Sequence, residues 1–303
     1  MNAVIDLGTN TFNLLIGDKL QTHNQILVSL EEPVMLGKGG IQHNKITSEA
    51  FDRAFKVLEK FKSQMNHYPI HQTKAFATSA IRNAINGPEF MQEVAKRFQI
   101  QIEAISGDLE ATYIYEGVKR SFDFQSKTYL IMDIGGGSVE FIIANEELSF
   151  WKRSFEIGAI RLHEKFKKND PISLQEIHDI KSYLKQELIL LFEEIKKHEI
   201  AGIIGSAGSF ESMWQIIEGD YSSACISLSQ HAKEVHEKDI KYFLNHLIQS
   251  SLEERKQIKN LVEFRREYIV VACILIELIR EESQLKRLIC SDYALKEGVF
   301  FHS

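Results

Sequence analysis

Three cysteines in 303 residues, Cys225, Cys273 and Cys290, are too few and too widely spaced for a disulfide framework or a thiolate zinc site, and no CxxC pair is present. They read as reduced thiols filling core space. Proline is also scarce. Pro33, Pro69, Pro88 and Pro171 all fall at expected element boundaries, as the limits on proline's backbone require. No apolar run is long. The longest, Tyr268 to Ile276, falls far short of the roughly 20 residues that a membrane-spanning helix needs. The chain runs directly into a strand without a basic leader segment, so a cytoplasmic protein away from membranes is expected. Basic charge is not in excess either. The formal net charge is −6, which argues against a broad duplex-DNA-binding face while leaving a local basic groove open.

What is present is ordinary globular composition, 44% hydrophobic and 26% charged, in a chain long enough for two domains with separate cores. Its most informative feature is a repeat. Ile5-Asp6-Leu7-Gly8-Thr9-Asn10-Thr11-Phe12 and Met132-Asp133-Ile134-Gly135-Gly136-Gly137-Ser138-Val139 each read as apolar strand, Asp, small-residue turn and returning strand, about one domain length apart. Two such hairpins facing each other would clamp phosphate and offer two carboxylates to a metal ion.

Strand and helix patterns alternate along the rest of the chain, which makes it an α/β protein. A strand is expected over 25–30, and a helix from about Ser48 carries Phe51, Phe55, Leu58, Phe61 and Met65 on one stripe. A strand at 73–77, a helix near 88–98, a strand at 100–105 and a helix at 107–118 follow. The second half repeats the order. Ser173 with Glu176 forms a capping box for one long helix running through Ile177, Ile180, Leu184, Leu188, Leu191 and Ile195. A strand at 200–204, a small-residue loop and a helix at 210–217 come next. Ser251 and Glu254 make a second capping box before a buried helix at 268–279. The domains expected are 1–124 and 125–291, with a terminal helix in 292–303 returning to the first.

Several residue groups carry chemistry. Three glycines at 135–137, followed by Ser138, let backbone N–H groups approach an anion, and a strand rather than a helix follows, so the turn closes a hairpin. Gly8, Thr9, Asn10 and Thr11 are its counterpart. Asp6 and Asp133 end corresponding strands, where a hard cation such as Mg²⁺ can bind through one or two carboxylates and substrate phosphates. Glu140, on the returning strand, faces either the cleft or solvent. Gly205, Ser206, Gly208 and Ser209 lie in a loop before a helix, a place suited to phosphate, although Ser209 also reads as a plain N-cap. His178-Asp179 reads as a solvated surface pair.

Four stretches together resemble the exopolyphosphatase/guanosine pentaphosphate phosphohydrolase family, within the actin–sugar kinase–Hsp70 superfamily. They are Ile5 to Phe12; Ala77-Thr78-Ser79-Ala80-Ile81-Arg82-Asn83-Ala84 with Asn86 and Gly87; Ile105-Ser106-Gly107-Asp108-Leu109-Glu110-Ala111; and Asp133 to Glu140. Gly158-Ala159-Ile160-Arg161-Leu162 and Ser291-Asp292-Tyr293-Ala294-Leu295-Lys296-Glu297-Gly298 support it. The resemblance implies two ribonuclease H-like, actin-like ATPase domains facing across a cleft. It implies that Glu110 is the catalytic base and that Arg82 contacts the phosphate chain. The turns at Gly8–Thr11 and Gly135–Ser138 would bind phosphate, and Asp133 and Glu140 would lie near the metal. Leu109, Glu267 and Lys296 depart from the family pattern and bear on substrate preference.

The reaction expected is Mg²⁺-dependent release of orthophosphate from polyphosphate or of the γ-phosphate from guanosine pentaphosphate. K⁺ beside Mg²⁺ and a homodimer are left open. A kinase of the same fold and a non-catalytic guanosine-polyphosphate sensor are the competing readings.

Overall fold

The computed structural model describes residues 1–19, 24–221 and 224–302. The first lobe contains β1 (Asn2–Leu7), β2 (Thr11–Lys19), β3 (Asn24–Pro33), α1 (Ser48–Met65), β4 (Gln72–Ala77), α2 (Ser79–Arg82), α3 (Gly87–Phe98), β5 (Ile102–Ala104) and α4 (Gly107–Val118). The second contains β6 (Thr128–Ile134), β7 (Val139–Ala144), β8 (Ser149–Phe155), α5 (Ala159–Phe166), α6 (Leu174–Glu187), α7 (Ile189–Ile195), β9 (Ile200–Ser206) and α8 (Gly208–Gly219). It continues through β10 (Ile226–Ser227), β11 (Ala232–Val235), α9 (Glu237–Gln249), α10 (Leu252–Gln257), α11 (Ile269–Ser283) and β12 (Leu288–Ser291), after which α12 (Leu295–His302) ends the described chain.

The first sheet has the order β3-β2-β1-β4-β5, with β1 antiparallel to β2 and parallel to β4. The second repeats this as β8-β7-β6-β9-β12 and adds the β10-β11 hairpin beyond β12. Both are ribonuclease H-like sheets, so the protein has the two-domain actin-like fold. The sequence repeat is thus the visible part of a structural one.

Strand alternation explains how the repeat becomes a site. Ala3, Ile5 and Leu7 of β1 pack outward into one core with α1 and α3, whereas Val4 points inward. Leu130, Met132 and Ile134 of β6 pack outward beneath the helices of the second lobe, while Tyr129 and Ile131 point inward. Period two therefore puts Asp6 on the face of Val4 and Asp133 on the face of Ile131. Each aspartate looks toward the other lobe. The space between the sheets is filled by α4 and α12, whose Ile114, Tyr115, Val118, Leu295, Val299 and Phe300 join both inner faces into a third core. The two helices cross at Gly117 and Gly298, where a Cβ on Gly298 would collide with the Tyr113 carbonyl.

Local signals explain most element ends. Thr47, Ser106, Ser173 and Ser251 cap their helices, and the last two complete capping boxes with Glu176 and Glu254. The single long helix expected after Pro171 is broken at Leu188 into α6 and α7, yet Leu184, Leu188, Leu191 and Ile195 remain one buried stripe. His178 and Asp179 are exposed. Cys273 and Cys290 are buried in the cores. Ser303 of the terminal segment lies outside the described residues. Among those described, no helix is long and apolar enough to cross a membrane.

Candidate active site

The two hairpins are the same device in the same register. Asp6 pairs across the strands with Asn13, and Asp133 with Glu140; Gly8 N–H donates to Thr11 O (3.1 Å), and Gly135 N–H to Ser138 O (3.0 Å). Asn13, which composition alone does not single out, is the counterpart of Glu140. It donates to Asp6 Oδ2 (3.1 Å).

Each turn is held from behind by its carbonyls. Ala159 N–H donates to Gly135 O (2.9 Å), Ile160 N–H to Gly136 O (2.9 Å) and Gly158 N–H to Gly137 O (3.1 Å). In the first lobe, Gly37 N–H donates to Thr9 O (3.1 Å), and the N–H groups of Val34 and Met35 donate to Asn10 O (2.9 and 2.7 Å). In a trans peptide C=O and N–H point oppositely. With the carbonyls tied to the outer loops, the N–H groups of Asn10, Thr11, Gly136, Gly137 and Ser138 turn toward the other side. That geometry is an anion nest on each lobe.

The turns line a cleft of about 730 Å³, together with Asp6, Asp133, Glu140, Glu110, Gly208 and Ser209. Three expected members do not line it. Gly205 lies against the Phe210 ring, where a side chain has no room. Ser206 is fully buried and donates to Asp133 Oδ2 (3.1 Å), so it orients the carboxylate instead of meeting phosphate. Arg82 is engaged elsewhere: Nη1 donates to Glu110 Oε2 (2.8 Å) and Ile105 O (3.1 Å), and Nη2 to Glu156 Oε1 (3.2 Å). Its direct partner in the site is Glu110. Ala207, at φ +66°, holds a strained backbone just before α8.

Glu110 sits in the first turn of α4 with only 6% of its surface exposed. Burial raises its pKa, the Arg82 guanidinium opposes that rise, and Asp6 and Asp133 add to it. Glu140 is raised still more clearly by burial, then by Glu110 and Asp133, although Ser154 Oγ donates to it (2.6 Å). Burial lifts Asp6 to about 7 against its Asn13 hydrogen bond, and Asp133 to about 6 against its Ser206 bond.

Cations also meet the cleft. Lys296 pairs with Glu297 (3.0 Å), and although burial works against its charge, Glu297, Asp6 and Glu31 hold its pKa above the ordinary value. Arg265 ties the lobes by donating to both oxygens of Glu31 on β3 (2.7 and 2.9 Å) and to Ser212 on α8 (3.1 Å). Of the residues that depart from the expected pattern, Leu109 packs on the interlobe core and Glu267 pairs with Lys38 at 3.6 Å.

Among the described residues no three or more His, Cys, Asp or Glu side chains form a metal cage. Mg²⁺ does not need one, because one or two carboxylates plus water and phosphate oxygens suffice. Asp6 Oδ1 and Asn10 Oδ1 are buried without a hydrogen-bond partner, as ligands awaiting a cation or its water would be.

Residues 15–303 match the Ppx/GppA phosphatase family. The chain belongs to that family. It is 32% identical over 292 residues to a bifunctional 3-dehydroquinate synthase/phosphatase of Fusobacterium nucleatum, covering 92% of this chain and 43% of that one. It is 26% identical over 303 residues to a putative exopolyphosphatase of Haemophilus influenzae, covering 99% and 90%. The chain therefore spans less than half of the first relative and most of the second. The crystal structure of an exopolyphosphatase from Cytophaga hutchinsonii superposes with a TM-score of 0.94 at 35% identity, covering 99% of this chain and 96% of that one.

The buried acids of this Ppx/GppA member make a stability prediction. A carboxyl whose folded pKa exceeds its unfolded value stabilises the fold while protonated, and the contribution is lost as pH rises through the folded pKa. For Asp6 and Asp133 the window runs from 3.8 up to about 7 and about 6. A tenfold change in proton affinity is about 1.4 kcal/mol, so the pair weakens the metal-free fold by on the order of a few kcal/mol at neutral pH. In EDTA, Tm should fall across that window, and Asp133→Asn should raise Tm near pH ~8 while impairing activity. Melting curves of both proteins check it, and a Tm for Asp133→Asn below wild type would contradict it.

Proposed function

We propose that this chain is a phosphoanhydride hydrolase that releases terminal orthophosphate from inorganic polyphosphate or the γ-phosphate from guanosine pentaphosphate. The observation that carries this reading is Glu110, a nearly buried carboxylate with raised pKa, fixed by Arg82 and lining the cleft with both anion nests. Names given to the relatives point the same way: exopolyphosphatase in Haemophilus influenzae and Cytophaga hutchinsonii, phosphatase in Fusobacterium nucleatum.

In this reading the N–H groups of the two turns hold the terminal phosphates in line with an attacking water. Glu110, once ionised, takes the proton of that water, and the Arg82 guanidinium favours the carboxylate form that burial opposes. Asp6 and Asp133, with Glu140 behind, would hold Mg²⁺, which supplies charge neutralisation on the phosphoryl oxygens. Donors already aimed at the phosphoryl oxygens cost little reorganisation as charge develops there. Arg82 holds Glu110 in place and keeps the first lobe's helix α2 against it.

The test is phosphate release from long polyphosphate, short polyphosphate and guanosine pentaphosphate at fixed Mg²⁺, with no acceptor, beside an EDTA control. Release from at least one substrate that EDTA abolishes is the expected result. Turnover that requires ATP and an acceptor hydroxyl would make the chain a kinase instead. Tight binding with no release would make it a sensor.

A further inference from the structure

We propose that Glu156 is a positioning residue of the hydrolytic step, carrying the placement of the second phosphate turn to Glu110 through two arginines. It lies between β8 and α5, on the second lobe, and 43% of its side chain is exposed. Its Oε2 accepts from Arg161 Nη2 (2.9 Å) and from Ser79 Oγ (2.6 Å), and its Oε1 from Arg82 Nη2 (3.2 Å). Ser79 and Arg82 belong to the first lobe, so this one carboxylate joins both.

The chain of contacts is continuous in each direction. Arg161 Nε donates to Gly137 O (3.2 Å), the carbonyl whose orientation turns the Ser138 N–H away from it. Arg82 Nη1 donates to Glu110 Oε2 (2.8 Å). Gly137, Arg161, Glu156, Arg82 and Glu110 are therefore linked without a gap. Guanidinium groups are planar forks, so fixing one edge against Glu156 fixes the direction of the other edge. A partly exposed ion pair contributes little to stability by itself. What Glu156 supplies is geometry: the first-lobe arginine that holds Glu110 is pinned to the second-lobe arginine that holds the turn. The register of the base against the bound phosphate then follows closure of the two lobes.

This inference rests on Glu110 being the base. The experiment measures Mg²⁺-dependent phosphate release from polyphosphate for Glu156→Gln, Glu156→Asp, Arg82→Ala, the Arg82→Ala/Glu156→Gln double variant, and Glu110→Gln. Glu156→Gln should lower kcat by about 10–100-fold with KM changed less than about threefold, because misplacement of the base affects the reaction step. Glu156→Asp should recover part of that loss. The double variant should be no slower than Arg82→Ala alone, since the two residues act as one unit. Melting temperatures should stay near wild type, and should Glu156→Gln melt early, the kcat of a folded Glu156→Asp, expected between wild type and Arg82→Ala, decides. Wild-type kcat in Glu156→Gln, or losses that multiply in the double variant, overturns the proposal. Full turnover in Glu110→Gln would instead remove Glu110 as the base on which the relay rests, whereas an inactive Glu110→Gln beside a fully active Glu156→Gln removes only the relay.

Discussion

Replacing Glu110 with Gln is expected to lower kcat by about 10²–10⁴-fold while changing KM much less. The amide keeps the shape of the carboxylate and can still meet Arg82, which donates at 2.8 Å to Oε2. What it loses is the ability to accept a proton from water. Binding should survive because in the proposed reading the turns hold the phosphates, and their N–H groups do not depend on residue 110. The fold should also survive, and even gain, because a neutral side chain no longer bears the burial cost that raises the proton affinity of Glu110. Steady-state phosphate release combined with a melting curve separates these effects. A folded variant with near-wild-type kcat would remove Glu110 from the chemistry.

Gly137→Ala is expected to be almost as damaging, for a steric reason. A Cβ at this position would stand 2.5 Å from Ser79 Oγ, 2.7 Å from Thr9 Oγ1 and 2.8 Å from Ser79 Cβ. The two hydroxyls can turn about χ1, but Ser79 Cβ is fixed to its backbone, so that backbone must shift. Thr9 is in the opposite turn, so the added methyl group pushes the two nests apart. Misplacement of reacting groups by about 1 Å costs on the order of 10²-fold in rate, and kcat/KM should fall at least that far. The cores lie elsewhere, so Tm should move by only a few degrees, the equivalent of roughly 1 kcal/mol or less. Wild-type kcat/KM in this variant would mean that the two turns do not act on one phosphate chain.

The sequence exposes what is local. Asp6 and Asp133 are legible because each ends an apolar strand before a small-residue turn, and strand alternation then dictates the face on which each lands. The capping residues Ser173 and Ser251 are legible because their partners lie three residues away. Asn13 was within reach, since it stands as far after Asp6 as Glu140 does after Asp133 and pairs in the same register. Glu156 and Arg265 were not. Glu156 is an ordinary glutamate whose Ser79 and Arg82 partners come from the other lobe, and Arg265 meets Glu31 from nearly the far end of the chain. No periodicity encodes contacts of that range. The loop at Gly205 was legible in part: Gly208 and Ser209 line the cleft, whereas Gly205 makes room for Phe210 and Ser206 serves Asp133.

In the proposed reaction, water held by Glu110 attacks the terminal phosphorus in the cleft between the turns. Single-turnover hydrolysis in isotopically labelled water tests it most directly. The label is predicted to appear in the released orthophosphate and not in the shortened chain or nucleotide, with the rate of its incorporation falling in Glu110→Gln as kcat does. Label in the shortened product, or orthophosphate carrying none, would contradict it.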